Sequence, residues 1–371
     1  MMPDTLSVLI GGDCGPVHGK GDGYPIEGYT ELVRPVLDQA DMRFVNCMRT
    51  YSSRGVQHAL APQVRQPVEM ADIFTHGRFD AVTMANNHSY DSGPDAMLDT
   101  RALLNSRGIQ VTGAGKNIAE ARQPALIERN GITVGYLGYC SVGRPESAAA
   151  NDKPGIATIR VNTSYDTRGA HEPVRILTEP NRNDLDMLVE DMRALRRTAD
   201  VVILAFHSGV IRVPRVVADY QIAVAHAAID AGADLMVAHG PHIPKAIEIY
   251  KGKAVFYSLG VFAMTKPFEA PAWHEPTWQH ESIRNHADLD PAYPLMPYGR
   301  DCTRSLLAKA VVSKSGVERI SFLPMAFDHR YRPQVLHHDD PRFSDMVRYM
   351  AWVSEDMPYT FSVQGDEVVV A

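Results

Sequence analysis

The chain has 371 residues, 45% of them hydrophobic, and a formal net charge of −7 at pH 7. This length and apolar content suit a globular fold with a sizeable core, and the acidic balance without basic runs argues against nucleic acid as a partner. No apolar run approaches the roughly 20 residues that span a bilayer, and residues 1–12 lack the basic start and apolar centre of an export signal, so no membrane partner and a cytoplasmic location are expected.

In chain order, residues 7–13 (SVLIGGD) form an apolar run of strand length that ends in two glycines and a carboxylate. Read locally, Asp13 caps the turn that follows. Residues 15–28 are too rich in glycine for a regular element. Residues 41–49 read as a second strand carrying Asn46, Cys47 and Met48, and residues 64–78 as a helix. Residues 79–84 are another short apolar run, and residues 94–104 have apolar side chains at helical spacing. The polar segment between them, TMANNHSYD at 83–91, therefore lies on a strand-to-helix turn, where open α/β sheets bind ligands. Asn87, His88 and Asp91 there offer an amide oxygen, an imidazole and a carboxylate able to orient it, the groups a metal ligand and a proton donor require. An Asx-rich helix cap is the competing reading. Residues 109–113 read as a strand and residues 125–138 as a hairpin about Asn130-Gly131, a type I′ pair. Residues 151–184 form a polar connection that includes a short strand at 156–161.

Residues 185–197 have helical spacing, and the apolar run 201–206 delivers His207 at a strand end, as a ligand or as a ring satisfied by backbone. Residues 216–231 repeat the helical pattern, and 235–238 lead into His239-Gly-Pro-His242, a tight turn that can aim both rings one way. Residues 247–257 read as a hairpin about Lys251-Gly252. The irregular stretch 265–304 is dense in Pro and His, with Trp273, His274 and Trp278 as candidate substrate contacts; a substrate lid and an oligomer contact are both open. Strand pairs are expected about Ser315-Gly316 and Gly365-Asp366. Residues 337–340 read as a solvated cap for a helix at 341–353. Cys14, Cys47, Cys140 and Cys302 lack CxxC spacing, which fits neither a disulfide framework nor a zinc ribbon.

Several of these stretches occur in one order: Ala85-Asn-Asn-His-Ser-Tyr-Asp-Ser-Gly93, Gly113-Ala-Gly-Lys-Asn117 with Glu120-Ala121, Phe206-His-Ser-Gly209, Asp230-Ala-Gly-Ala-Asp234 running into Ala238-His-Gly-Pro-His242, and residues 247–260. Together they resemble the CapA (poly-γ-glutamate capsule synthesis, PGA_cap) family, a branch of the calcineurin-like metallophosphoesterases, over roughly residues 5–265. The resemblance implies an α/β fold with mixed sheets, a four-layer αββα sandwich. It is expected as one domain over 1–371, with 265–304 as a lid or insertion and 341–371 as a C-terminal extension. By the same resemblance, Asp13, Asn87, His207 and His242, with His239, are ligands of one or two divalent ions (Mn, Fe or Zn), and His88 with Asp91 is the proton-transfer pair.

Two positions depart from the family pattern. Its Asn-x-Glu, whose glutamate bridges the ions, is Asn46-Cys47-Met48 here, and its Ser-Leu-Gly-Asn-Phe is Ser258-Leu-Gly-Val-Phe262. A thioether does not bridge hard divalent ions as a carboxylate does, so one ion is favoured. The function expected is a metal-dependent hydrolase of a small molecule, acting on a phosphoester, amide or lactone. The alternatives are other metal-dependent chemistry, such as a lyase or decarboxylase, and a non-catalytic binding protein related to capsule polymer synthesis.

Overall fold

The computed structural model describes residues 5–16, 26–58, 65–167, 169, 174–264 and 299–371. Its long apolar runs alternate between two covered faces, which dictates the layering. In the strand Leu6–Cys14, Leu6, Val8 and Ile10 enter one core cluster while Leu9 enters another.

The larger sheet runs Phe361–Gln364, Glu367–Val370, Gly316–Phe327, Arg304–Ser313, Leu6–Cys14, Met42–Cys47, Ala81–Thr83, Gln110–Thr112, with Val261–Ala263 also paired to Leu6–Cys14 and Pro333–Val335 to Gly316–Phe327. Its last four strands are mutually parallel. The second sheet runs Ile247–Tyr250, Lys253–Phe256, Leu235–His239, Val201–His207, Ile132–Cys140, Ala125–Arg129. Its four central strands are parallel and each edge is an antiparallel hairpin strand. Both hairpins turn as expected: Asn130 and Gly131 have φ 53° and 77°, and Lys251 and Gly252 have φ 50° and 75°.

The sheets pack face to face over Val8, Ile10 and Phe44 on one side and Val134, Tyr136, Ile203 and Val237 on the other. The Phe44 and Tyr136 rings stack across this layer with centroids 4.5 Å apart. Outside the larger sheet, Phe74 of helix Asp72–His76 and Met97 and Leu104 of helix Gly93–Ser106 cover Val45 and Val82. Outside the second sheet, Leu188, Met192 and Leu195 of helix Arg182–Arg196 and Val224 of helix Asp219–Asp230 cover Val202 and Leu204. The result is the four-layer αββα sandwich. Residues 341–371 are packed into this frame: helix Pro341–Ser354 sends Phe343, Met346, Met350 and Val353 into the layer between the sheets, and the last two strands extend the larger one. Asp340 caps that helix by accepting from the Arg342 N–H at 2.9 Å.

Two expectations are corrected. The helix placed at 64–78 is a 3₁₀ turn, Val68–Ala71, followed by the short helix Asp72–His76. Pro67 sits at ψ 148°, and Gln66 before it bridges to Tyr51 in extended form, as a residue preceding proline prefers. The strand placed at 156–161 shrinks to Gly155–Ile156, while Val161–Asp166 and Arg175–Pro180 pair as an antiparallel ribbon. That ribbon is largely exposed, so no buried alternation marks it in the sequence. Among the described residues no helix is long and apolar enough to cross a membrane.

Candidate metal and proton-transfer site

Parallel strands carry their carboxyl ends to one edge, and register then sets side chains beside one another. Asp13 pairs with Asn46 in the larger sheet, and His207 with His239 in the second. Past His239 the chain turns through Gly240 at φ 110° and His242 at φ 61°. A Cβ at Gly240 would lie 3.0 Å from His207 Nε2, so glycine is required there. The left-handed backbone of His242 costs about 1–2 kcal/mol in an L-residue, strain held where the ring is needed.

The side chains from the two sheets meet at this edge. Asp13 is fully buried; its Oδ1 accepts from Asn46 Nδ2 at 2.7 Å and its Oδ2 from His242 Nδ1 at 2.9 Å and the Gly240 N–H at 3.3 Å. Asn46 Nδ2 also lies 3.2 Å from His207 Nδ1, which joins the sheets, and His207 Nε2 is 3.0 Å from Asn87 Oδ1. His239 is turned onto the Gly11 carbonyl, 3.2 Å from Nε2, and its buried Nδ1 has no hydrogen-bond partner among the described residues. His88 Nδ1 lies 2.7 Å from Asp91 Oδ2, and Arg144 Nη1 is 3.2 Å from Asp91 Oδ1, an ion-pair distance without hydrogen-bond alignment. Arg144 also reaches Glu146 at 2.9 Å.

Electrostatics follow from burial. Burial alone raises the Asp13 carboxyl, but the His242 hydrogen bond and the neighbouring imidazoles outweigh it and hold the group well below the ordinary carboxylate range. Burial pushes His207 down to about 3, against the pull of Asp13, and it lowers His239 and His242 as well. The three rings are therefore neutral at pH 7, the state in which imidazole ligates metal.

An anionic carboxylate, an amide oxygen and neutral imidazoles, one with an orphaned buried nitrogen, are donor types that suit a divalent ion. Among the described residues no three His, Cys, Asp or Glu side chains form a ready-made cage; the donors are paired with each other instead. Met48 and Val261, the two departures, are 0% and 1% exposed and share one apolar cluster with Ile243, Met264, Cys302, Phe327 and Tyr331.

The structure thus gathers Asp13, Asn87, His88, Asp91, His207 and His242, and puts His239 behind them on the Gly11 carbonyl. Trp273, His274 and Trp278 lie outside the described residues. Sequence reasoning missed Asn46, Asn86 and Arg144. Asn46 stood inside a quoted motif without a role, and Arg144 lies in a loop with no pattern to flag it. It also missed Lys245, 1% exposed, whose Nζ donates to the Val216 carbonyl at 2.6 Å and ties the loop after His207 to the turn after His239.

The profile of the family described as "Bacterial capsule synthesis protein PGA_cap" matches residues 8–266. A probable polyglutamine synthesis accessory protein of Mycobacterium tuberculosis is 36% identical over 183 residues, 48% of this chain and 43% of its own length. The PGA biosynthesis protein CapA of Bacillus subtilis is 28% identical over 235 residues, 63% of this chain and 55% of its own. The chain spans about half the length of these curated relatives. Among solved structures, the calcineurin-like phosphoesterase YfkN of Bacillus subtilis aligns over 85% of this chain and 88% of its own, at 10% identity and a TM-score of 0.39.

Proposed function

The chain belongs to the bacterial capsule synthesis protein PGA_cap family, and on that premise we propose that it is a metal-dependent hydrolase of a small molecule, opening a phosphoester, amide or lactone bond. One observation carries the reading: an oxygen and imidazole donor set about Asp13 stands one residue along the chain from an imidazole held by a carboxylate, His88 on Asp91. A divalent ion held by Asp13, Asn87, His207 and His242, with His239 nearby, would supply Lewis acidity and a water of lowered pKa. Asp13 contributes a buried negative charge, and burial keeps the imidazole lone pairs unprotonated. His88, once protonated, gives a proton from Nε2 to the leaving oxygen or nitrogen while Asp91 holds Nδ1; such transfer is worth roughly 10²–10⁴ in rate. Arg144, ion-paired to the far oxygen of Asp91, keeps that carboxylate turned to the ring.

The test is a screen of purified protein with added Mn, Fe or Zn against phosphate esters, amides and lactones. Turnover abolished by chelation and restored by the ion supports the reading; metal-replete protein inert on all three classes overturns it. A second reading, other metal-dependent chemistry or a ligand-binding role beside polymer synthesis, is favoured by the apolar cluster that holds Met48 and Val261 and by the names of the relatives. Product analysis, or saturable binding without turnover, separates these cases.

A further inference from the structure

The direction of each hydrogen bond in the site can be worked out from groups that have no choice. Asn86 Nδ2 lies 2.7 Å from the Cys47 carbonyl, which only accepts, and Asn86 Oδ1 lies 3.0 Å from the His88 backbone N–H, which only donates. Backbone therefore orients the Asn86 amide. Its Nδ2 also meets Asn46 Oδ1 at 3.0 Å, so Asn46 must turn its oxygen there and its nitrogen to the other side. On that side stand Asp13 Oδ1 at 2.7 Å and His207 Nδ1 at 3.2 Å, one acceptor for each amide hydrogen. A proton on His207 Nδ1 would face a donor, so Nδ1 carries the lone pair and Nε2 the proton, which goes to Asn87 Oδ1 at 3.0 Å.

The Asp91 carboxylate only accepts, so in its neutral form His88 would carry its proton on Nδ1 and leave Nε2 as an acceptor. Asn87 Nδ2 faces that nitrogen at 3.5 Å, the outer limit of a hydrogen bond. The two deductions start from independent groups and require the same orientation of Asn87.

We propose that in the metal-free protein Asn46 is a positioning residue: by donating to both Asp13 and His207 it sets the His207 tautomer.

The proposal is tested without substrate and without metal. Chelator-treated protein carrying 15N-labelled histidine, examined at neutral pH by multiple-bond proton–nitrogen correlation, reports which nitrogen of each ring is protonated; His207→Gln and His88→Gln assign the signals. We expect His207 as the Nε2–H form. Asn46→Leu, which removes the donor, should raise the Nδ1–H population of His207 several-fold. His207 found as Nδ1–H in the unmodified protein overturns the proposal and needs no variant. So does an Asn46→Leu protein that melts cooperatively with the His207 tautomer unchanged. Because neither readout involves turnover, failure of the hydrolase reading is seen separately, in the activity screen.

Discussion

Lys245 offers a prediction whose size can be worked from its surroundings. Its side chain is 1% exposed, Nζ donates to the Val216 carbonyl, and burial brings its pKa down to about 7 from the ordinary 10.5. That gap penalises the charged form in the folded state by about 4–5 kcal/mol. The sign is that of a depressed base. Below pH 7 both folded and unfolded chains carry the proton and the folded state bears the whole penalty; between about 7 and 10.5 the folded chain gives up its proton first and stability rises with pH. Lys245→Met keeps the length and removes the charge, but it leaves the Val216 carbonyl without its donor, a loss of about 1 kcal/mol. The variant should therefore be about 3 kcal/mol more stable than the natural chain at pH 7. By pH 9 that advantage should shrink by about 2 kcal/mol. Urea unfolding followed by tryptophan fluorescence and circular dichroism at the two pH values measures both numbers, with the common titration of other groups cancelling between the chains. A stability difference that does not change with pH, or a Met variant less stable at pH 7, would refute the reasoning.

Four further outcomes are expected. His207→Ala and His242→Ala should each lower bound Mn or Zn by elemental analysis while the circular dichroism spectrum is kept; full occupancy in both would remove them from the ligand set. The natural chain should hold one tightly bound ion, and occupancy near two would contradict the apolar cluster around Met48; Met48→Glu, which buries a carboxylate there, should cost several kcal/mol in metal-free protein, read as a lowered melting temperature. His88→Asn should reduce kcat by roughly 10²–10⁴ with metal content intact, and an unaltered kcat on the true substrate would end its proton-transfer role. Gly12→Ala should fold poorly, because its Cβ would sit 2.1 Å from the Gly260 carbonyl oxygen; a melting temperature within a degree or two of the natural chain would show that the Leu6–Cys14 strand can move.

The sequence by itself determined the elements whose signal is local. The apolar run 201–206 must be a buried strand because every residue is apolar over strand length, and Asn130-Gly131 and Lys251-Gly252 must turn because those pairs accept positive φ. It also placed Asp13, Asn87, His88, His207 and His242 at strand ends, and in parallel strands those ends share one edge. Only the tertiary structure decided what those side chains do to one another. The exposed ribbon Val161–Asp166 with Arg175–Pro180 carries no burial pattern, so its pairing is invisible in sequence. Asn46 joins Asp13 to His207, itself 161 positions from Asn46 in the chain, Arg144 reaches Asp91, and Met48 meets Val261 in one apolar cluster, each through contacts between distant segments. Hydrogen-bond polarity is likewise a property of the assembled network: His207 bears its proton on Nε2 because Asn86, held by two backbone groups, leaves Asn46 a single orientation. Spacing along the chain carries periodicity and turn chemistry, whereas tautomer, strain and burial depend on neighbours that only folding supplies.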